Sequence, residues 1–238
     1  MTLSLSSQAM AQDGLKELYE KLITSVKETG KIDYKKSCPD CVKEEKRKSQ
    51  LSKYDSRSNH QTIEMSVLSE EELINYFNEM AATKDIPFDY SADGCYARAH
   101  KMSRMLERRG VITGKAFVEG NLNVESPLMG RISWWYHVAP VVLVKKDGKE
   151  VPYVIDPSLF NKPIPFDEWR DFMTDGKKSN VQDEYFTNRF SFTPSDKYPP
   201  PKTNYNWTDI QNTQRTITSY GEKLKEIKKN EARKEVAL

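Results

Sequence analysis

The chain has 238 residues and a nearly balanced charge, with 37 basic and 35 acidic side chains. A net charge of +2 gives no global field that would draw the protein to nucleic acid or to a membrane surface, so we expect neither partner. No apolar run approaches the roughly 20 residues that a membrane-spanning helix needs, and the N-terminus lacks the basic and apolar regions of a Sec signal peptide. These features predict a soluble protein that is cytoplasmic in the producing cell or delivered by a specialised secretion system.

The first predicted element is an amphipathic helix over residues 13–29, followed by a polar, basic stretch over residues 31–62 that we interpret as a linker or exposed loop. Cys38 and Cys41 in this stretch have the spacing of zinc ligands or of a redox pair. A structural zinc needs four ligands, and His60 is the only further candidate nearby. We therefore interpret the two cysteines as an incidental pair in a loop, with a zinc site shared between chains left open.

Two further helices are predicted before the strands. One begins near Ser69, where Ser69 and Glu72 fit a capping box, in which each side chain satisfies a backbone donor at the other residue. The other begins at Asp93 or Gly94 and ends at Gly110. Both helices precede all of the clearly predicted strands.

Cys95 lies in the first turn of the second of these helices. Unpaired backbone N–H groups and the helix dipole favour an anion at that place, and therefore a thiolate. Free cysteines are also among the most buried residue types, so a buried apolar Cys95 on the core face of the helix is the alternative. An odd count of three cysteines in the chain argues against a disulfide framework and favours a reducing compartment.

The strands follow the helices. Alternating, aromatic and β-branched residues predict strands over residues 115–122, 134–144 and 151–156. Asp147 and Gly148 between the last two strands indicate a two-residue hairpin turn, because both turn positions tolerate positive φ. We therefore expect an antiparallel pair, in which the numbers of facing residues sum to 295.

This hairpin brings a histidine and a carboxylate together. Asp156 faces Ala139, which lies on the same side of the sheet as His137, so His137 and Asp156 are diagonal neighbours on one face. Their backbones are then roughly 7–8 Å apart, within reach of the two side chains. A carboxylate beside an imidazole fixes its tautomer and stabilises the imidazolium, which is the orienting role in catalytic triads.

The rest of the chain is less regular. A short helix is predicted over residues 165–175 around Trp169, a loop over 183–206, and a charged helix over 207–236. Helices followed by an antiparallel sheet indicate the α+β class. We divide the chain into four segments: an N-terminal extension (1–65), a catalytic core (66–175), a Pro- and Asn-rich loop region (176–206) and a charged C-terminal helix (207–238).

Cys95, His137 and Asp156 form a plausible triad, and the order cysteine, histidine, acid is that of papain-like and transglutaminase-like hydrolases. Trp135 lies on the same strand face as His137 by alternation, which makes it the strongest candidate for lining a substrate slot. Tyr136 and Gly94, the direct neighbours of His137 and Cys95, complete the predicted substrate-binding residues.

Four motifs in order resemble the bacterial protein-glutaminases, secreted enzymes that convert glutamine residues of proteins to glutamate. They are DGCYARAHKM (93–102), FVEGNL (117–122), YHVA (136–139) and IDPSLF (155–160). The similarity runs from about residue 73 to about residue 172, and a more distant likeness extends to cysteine deamidases that bacteria deliver into host cells. The resemblance implies a transglutaminase-like core in which a helix carrying the nucleophile packs on an antiparallel sheet.

The resemblance also implies roles. Cys95 is then the nucleophile, His137 the general base and acid, and Asp156 the orienting carboxylate. The partner is a protein with an exposed glutamine, and neither a metal nor an organic cofactor is required. The chain departs from the secreted enzymes in lacking their disulfide cysteines and export signal. The alternatives are a cysteine protease or transglutaminase with the same triad, and a non-catalytic adaptor with Cys95 in its core.

Overall fold

The computed structural model describes residues 49–56, 61–174 and 179–236, which form a mixed α+β fold as predicted. The described strands are β1 (Gln50–Asp55), β2 (Thr62–Leu68), β3 (Gly114–Ser126), β4 (Gly130–Lys146), β5 (Lys149–Val154), β6 (Ile164–Pro165) and β7 (Asn180–Asn188). The described α-helices are α1 (Glu70–Ala81), α2 (Cys95–Arg108), α3 (Phe166–Thr174) and α4 (Trp207–Val236). The predicted helix over 13–29 and the residues Cys38, Cys41 and His60 lie outside the described ranges.

All seven strands of the described ranges belong to one sheet in the order β1-β2-β4-β3-β7, with β5 paired to β4 and β6 to β5. Every pair is antiparallel except β2 and β4, which run parallel. The long strand β4 is therefore hydrogen-bonded to three others and occupies the centre. None of the helices in these ranges is long and apolar enough to cross a membrane.

The sheet is covered by helices on both faces, and the alternation along β4 shows how. Val141 and Leu143 belong to the apolar cluster that contains Trp169 and the other buried residues of α3. Val142 and Val144 belong to the cluster that contains the buried residues of α1 together with Met102 and Leu106 of α2. Successive side chains of a strand point to opposite faces, so one strand supplies both cores.

The helix starts follow the local sequence. Ser69 accepts a hydrogen bond from the Glu72 backbone and the Glu72 side chain accepts one from the Ser69 backbone, which confirms the predicted capping box. Leu73, Phe77 and Met80 then form the buried stripe of α1, with the spacing of an amphipathic helix.

Two segments that the sequence indicated as linker and loop are strands. Residues 50–55 form β1 and residues 180–188 form β7, at the two ends of the main strand order. Edge strands keep much of their surface in solvent, so their residues are largely polar and the alternation that signals a strand is weak. The sheet consequently extends beyond the expected core of residues 66–175 on both sides.

Gly120 lies at an irregularity in the pairing of β3 with β7 and has a φ of +150°. A Cβ at this position would overlap the backbone oxygen of Asn180, which cannot move without breaking the strand pair. We expect Gly120→Ala to lower the free energy of unfolding by about 3 kcal/mol or more, measured by urea denaturation.

Gly130 is the matched control, since its φ of +66° is also left-handed but an added Cβ would meet nothing within 4 Å. Gly130→Ala should cost only about 1 kcal/mol, from backbone strain alone. Equal losses in the two variants would contradict the overlap at Gly120.

Candidate active site

The site begins at the N-terminus of α2, whose first residue is Cys95. Gly94 is the N-cap and has a φ of +83°, a left-handed conformation that glycine adopts at little cost. Because a glycine N-cap has no side chain, the first-turn N–H groups receive no side-chain acceptor from it. Cys95 is therefore next to backbone donors that can stabilise negative charge.

The predicted hairpin is confirmed, including its register. Val141 pairs with Val154 and Lys146 with Lys149, so facing residues sum to 295. The backbone N–H of Ile155 donates to the oxygen of Pro140 and carries the pairing one step further. In this register Asp156 faces Ala139, which is two residues after His137 on β4. Asp156 therefore lies beside His137.

His137 and Asp156 are directly hydrogen-bonded, with 2.8 Å between Nε2 and Oδ2, and both side chains are buried. The same Oδ2 accepts a second hydrogen bond from Nε1 of Trp169 on α3, at 3.0 Å. Oδ1 accepts one from the backbone N–H of Ser158, at 3.2 Å. The carboxylate thus has three donors that fix its orientation.

The electrostatics favour a charged pair. Burial alone would lower the pKa of His137, but the charge and hydrogen bond of Asp156, together with Cys95, raise it to about 9. Burial alone would raise the pKa of Asp156, but His137, the Trp169 hydrogen bond and the charge of Arg98 hold it below its usual value. Imidazolium and carboxylate are therefore the stable forms at neutral pH.

Cys95 completes the arrangement. Cys95 helps Asp156 to raise the pKa of His137, so the thiol and the ring lie within interaction range. The second ring nitrogen of His137, Nδ1, is buried without a fully formed hydrogen bond in the part of the chain that the structure describes. Apo sites often leave such bonds loose until substrate binds. The structure thus brings together all three residues of the predicted triad.

Tyr136 also belongs to this neighbourhood. It packs against the small apolar cluster that contains Cys95, Phe117 and Val138. Burial and the nearby Cys95 raise the pKa of the Tyr136 hydroxyl, so it stays protonated and can only donate to a developing negative charge. This position is compatible with the substrate-binding role predicted for it.

The tryptophan that packs on His137 is Trp134, and not Trp135 as predicted from strand alternation. Trp134 stacks on the His137 ring at 4.8 Å between centroids and 18° between planes, whereas Trp135 is 62 % exposed and packs against Tyr136. Strand alternation, on which the choice of Trp135 rested, fails at a register irregularity in β3 opposite this part of β4. Trp135 remains a candidate for contacting substrate from the surface.

Two side chains of the site were not found from the sequence. Trp169 was predicted to lie in a short helix, but nothing in the sequence linked that helix to Asp156. Charged residues on a helix are usually exposed, so no role was predicted for Arg98, one turn after Cys95. Arg98 is nevertheless buried and donates to the backbone oxygens of Tyr90 and Asp93. A buried arginine that binds backbone oxygens stabilises the loop leading to Cys95.

His100, also on α2, is separate from the site. It is fully buried, and its Nδ1 lies 3.1 Å from Nζ of Lys115. Burial and the charge of Lys115 lower the pKa of His100 to about 2, so it is a neutral core group. Among residues 49–56, 61–174 and 179–236, no cluster of three or more His, Cys, Asp or Glu side chains could hold a metal ion.

Comparison with known proteins agrees with this geometry. The sequence profile of a glutaminase family matches residues 72–173. The crystal structure of a protein-glutaminase is 30 % identical with a TM-score of 0.53, and the alignment covers 65 % of this chain and 90 % of that one. The NMR structure of protein-glutaminase from Chryseobacterium proteolyticum is also 30 % identical, with a TM-score of 0.55 and coverage of 64 % and 87 %.

A crystal structure of pro-protein-glutaminase is similar as well, at 29 % identity and a TM-score of 0.55, with 73 % of this chain and 62 % of that one covered. A search of curated proteins found no significant match. The chain belongs to the protein-glutaminase family, which confirms the resemblance inferred from its motifs.

Proposed function

We propose that this protein is a protein-glutamine deamidase that works through a cysteine thioester. The observation that carries the proposal is the buried His137–Asp156 pair beside Cys95 at the start of α2, in a chain of the protein-glutaminase family. Cys95 is the nucleophile, His137 the acid and base, and Asp156 the group that orients His137.

In the first half of the reaction, the Cys95 thiolate attacks the side-chain amide carbon of a glutamine on a partner protein. The amide π bond opens onto its oxygen, and the backbone N–H of Cys95 is placed to bind that oxyanion. One such donor is worth about 3 kcal/mol in the transition state. His137 imidazolium then gives its proton to the departing nitrogen, so that the C–N bond breaks, ammonia leaves and a γ-glutamyl thioester remains.

In the second half, neutral His137 takes a proton from a water molecule, whose oxygen attacks the thioester carbon. The C–S bond breaks with its electron pair on sulfur, the new carboxylic acid gives its proton to solvent, and thiolate and imidazolium are restored. Asp156 stays ionised throughout and stabilises the imidazolium in both halves. Each turnover changes a neutral amide into a carboxylate, which can disrupt an interface in the target. This is the basis for proposing a role as a bacterial effector or toxin.

The rival functions differ in their products. A protease with the same triad would cleave the peptide chain, and a transglutaminase would transfer the γ-glutamyl group from the thioester to a lysine amine, with release of the thiolate. A non-catalytic adaptor is disfavoured physically, because a buried ion pair has a desolvation cost that apolar residues of similar size would avoid. The three donors to Asp156 fix the carboxylate so that it orients His137, a role that an adaptor does not need.

Incubation with a protein mixture, followed by peptide mass spectrometry, tests the proposal. We expect glutamine sites to gain about one dalton, as an amide becomes an acid, with one ammonia released per site. The peptide backbone should stay intact, and no cross-linked species should form. New chain termini or lysine cross-links in place of glutamate would support one of the rival enzymes instead.

The raised pKa of His137 predicts a pH dependence. A folded-state pKa of about 9 lies above the usual value of 6.5, so the imidazolium and its stabilisation of the fold are fully present below about pH 6.5 and are lost as pH rises through about 9. Because His137 must enter the first step protonated, kcat/KM should fall above about pH 9, measured as a pH–rate profile. A profile that falls instead near pH 6.5 would show that Asp156 and Cys95 do not raise this pKa.

A further inference from the structure

Helix α4 contacts the loop that leads to the nucleophile, through Tyr220. The Tyr220 hydroxyl donates to Oδ2 of Asp93 at 2.5 Å, and its ring stacks on Tyr90 at 4.6 Å between centroids. Burial and the Asp93 carboxylate raise the pKa of Tyr220, so the hydroxyl is a donor at any working pH. One side chain of α4 thus contacts both ends of the segment 90–93.

The same ring lies directly against Gly94. A Cβ built on Gly94 would come within 2.8 Å of Cδ2 of Tyr220, so the ring occupies the space that any side chain at this position would need. The other oxygen of Asp93, Oδ1, accepts a hydrogen bond from the backbone N–H of Gly94 at 2.6 Å. Tyr220, Asp93 and Gly94 therefore form a continuous chain of contacts that ends at the residue before Cys95.

Further contacts hold α4 in this place. Ile217 is buried, and Thr216 lies within hydrogen-bond distance of the Tyr96 hydroxyl, with 3.3 Å between the two oxygens. Lys228, two turns after Tyr220, is paired with Asp89 at 2.5 Å. Helix α4 lies wholly outside residues 72–173, the segment that matches the family profile. The support that it gives to the loop is therefore a feature of this chain beyond the matched core.

We infer that Tyr220 is a positioning residue for Cys95. Its ring and hydroxyl hold the left-handed turn at Gly94, and that turn fixes the directions of the Cys95 thiol and backbone N–H. A misplacement of about 1 Å can cost a reaction of this kind about 100-fold in rate, even when the displaced group is remote from the chemistry. The inference rests on the proposed function for its catalytic readout, but the alignment of the thiol can be measured without any substrate.

Two variants separate the ring from the hydroxyl. Tyr220→Ala removes both, and we expect it to lower kcat about 30-fold with KM changed less than about twofold, because the turn loses its support while the substrate surface stays. Tyr220→Phe keeps the ring against Gly94 and should lose only about threefold. Tyr198, which is 66 % exposed, supplies the control: Tyr198→Phe should match wild type.

Alkylation of Cys95 by iodoacetamide, followed by mass spectrometry, is the second readout. The alkylation rate should fall in Tyr220→Ala, be largely restored in Tyr220→Phe, and stay unchanged in Tyr198→Phe. Wild-type rates of alkylation and of turnover in both Tyr220 variants would overturn the inference. If Tyr220→Ala does not fold, the decision falls to Tyr220→Phe, and a wild-type rate in that variant counts against the hydrogen bond to Asp93.

The two proposals can fail separately. If wild type deamidates no protein but the alkylation rate still depends on Tyr220, the positioning role stands and the proposed function falls. If wild type deamidates glutamine and neither rate depends on Tyr220, the function stands and the positioning role falls.

Discussion

We expect Cys95→Ala to abolish glutamine deamidation, with a loss of at least about 10⁴-fold in kcat, because no thioester can form without the sulfur. His137 and Asp156 cannot compensate, because they transfer protons and supply no atom that attacks the amide carbon. The loss should appear both as ammonia release at the background rate and as unchanged glutamine masses at every site that wild type converts.

The fold should tolerate this change. Cys95 packs in a small cluster with Ala99, Phe117 and Val138, where alanine removes one buried atom and leaves a small cavity. We expect a loss of only about 1 kcal/mol of stability, visible in urea denaturation. Cys38→Ala is the matched control for the loss of a thiol and should retain full activity. Conversion by Cys95→Ala at the wild-type rate would remove the basis of the proposed mechanism.

The second large effect is expected for Asp156→Asn, with a fall in kcat of about 10³- to 10⁴-fold. An amide has one acceptor oxygen, whereas the carboxylate accepts from His137, Trp169 and the Ser158 backbone with two. The amide nitrogen must therefore face one of these donors. The variant also loses the charge that raises the pKa of His137, so less imidazolium is present.

A matched carboxylate serves as the control. Asp171 lies nearby in the sequence on α3 but is 66 % exposed and paired with Arg170 on the surface. Asp171→Asn should leave kcat within about twofold of wild type, because exposed ion pairs contribute little. If Asp156→Asn were as active as Asp171→Asn, the orienting role of Asp156 would be wrong.

Much of the site could be predicted because its geometry is local. A two-residue turn at Asp147-Gly148 fixes the register, and the register alone brings His137 beside Asp156. The position of Cys95 follows from a glycine that allows a left-handed N-cap. Short-range rules of turns and helix starts apply at these positions without knowledge of the tertiary structure.

The features that were missed depend on contacts that are distant in sequence. Trp169 and Tyr220 bind Asp156 and Asp93 from helices whose packing no local pattern reveals. Trp134 packs on His137 in place of Trp135 because of an irregularity in the facing strand β3. The sequence of β4 contains no sign of that irregularity. The sequence predicts loops in place of the edge strands β1 and β7, because their polar residues lack the alternation of a half-buried strand.

The hairpin that joins His137 to Asp156 has a consequence for how the site assembles. These two residues are 19 positions apart and are joined by adjacent strands, so the entropy lost in closing that loop is modest. The Cys95 sulfur lies on a separate helix, α2. Contacts between residues much further apart in the sequence hold Cys95 against the sheet. A partly unfolded molecule would therefore keep the His137–Asp156 pair after Cys95 has moved away. Loss of enzymatic turnover should then precede loss of sheet structure during gradual denaturation.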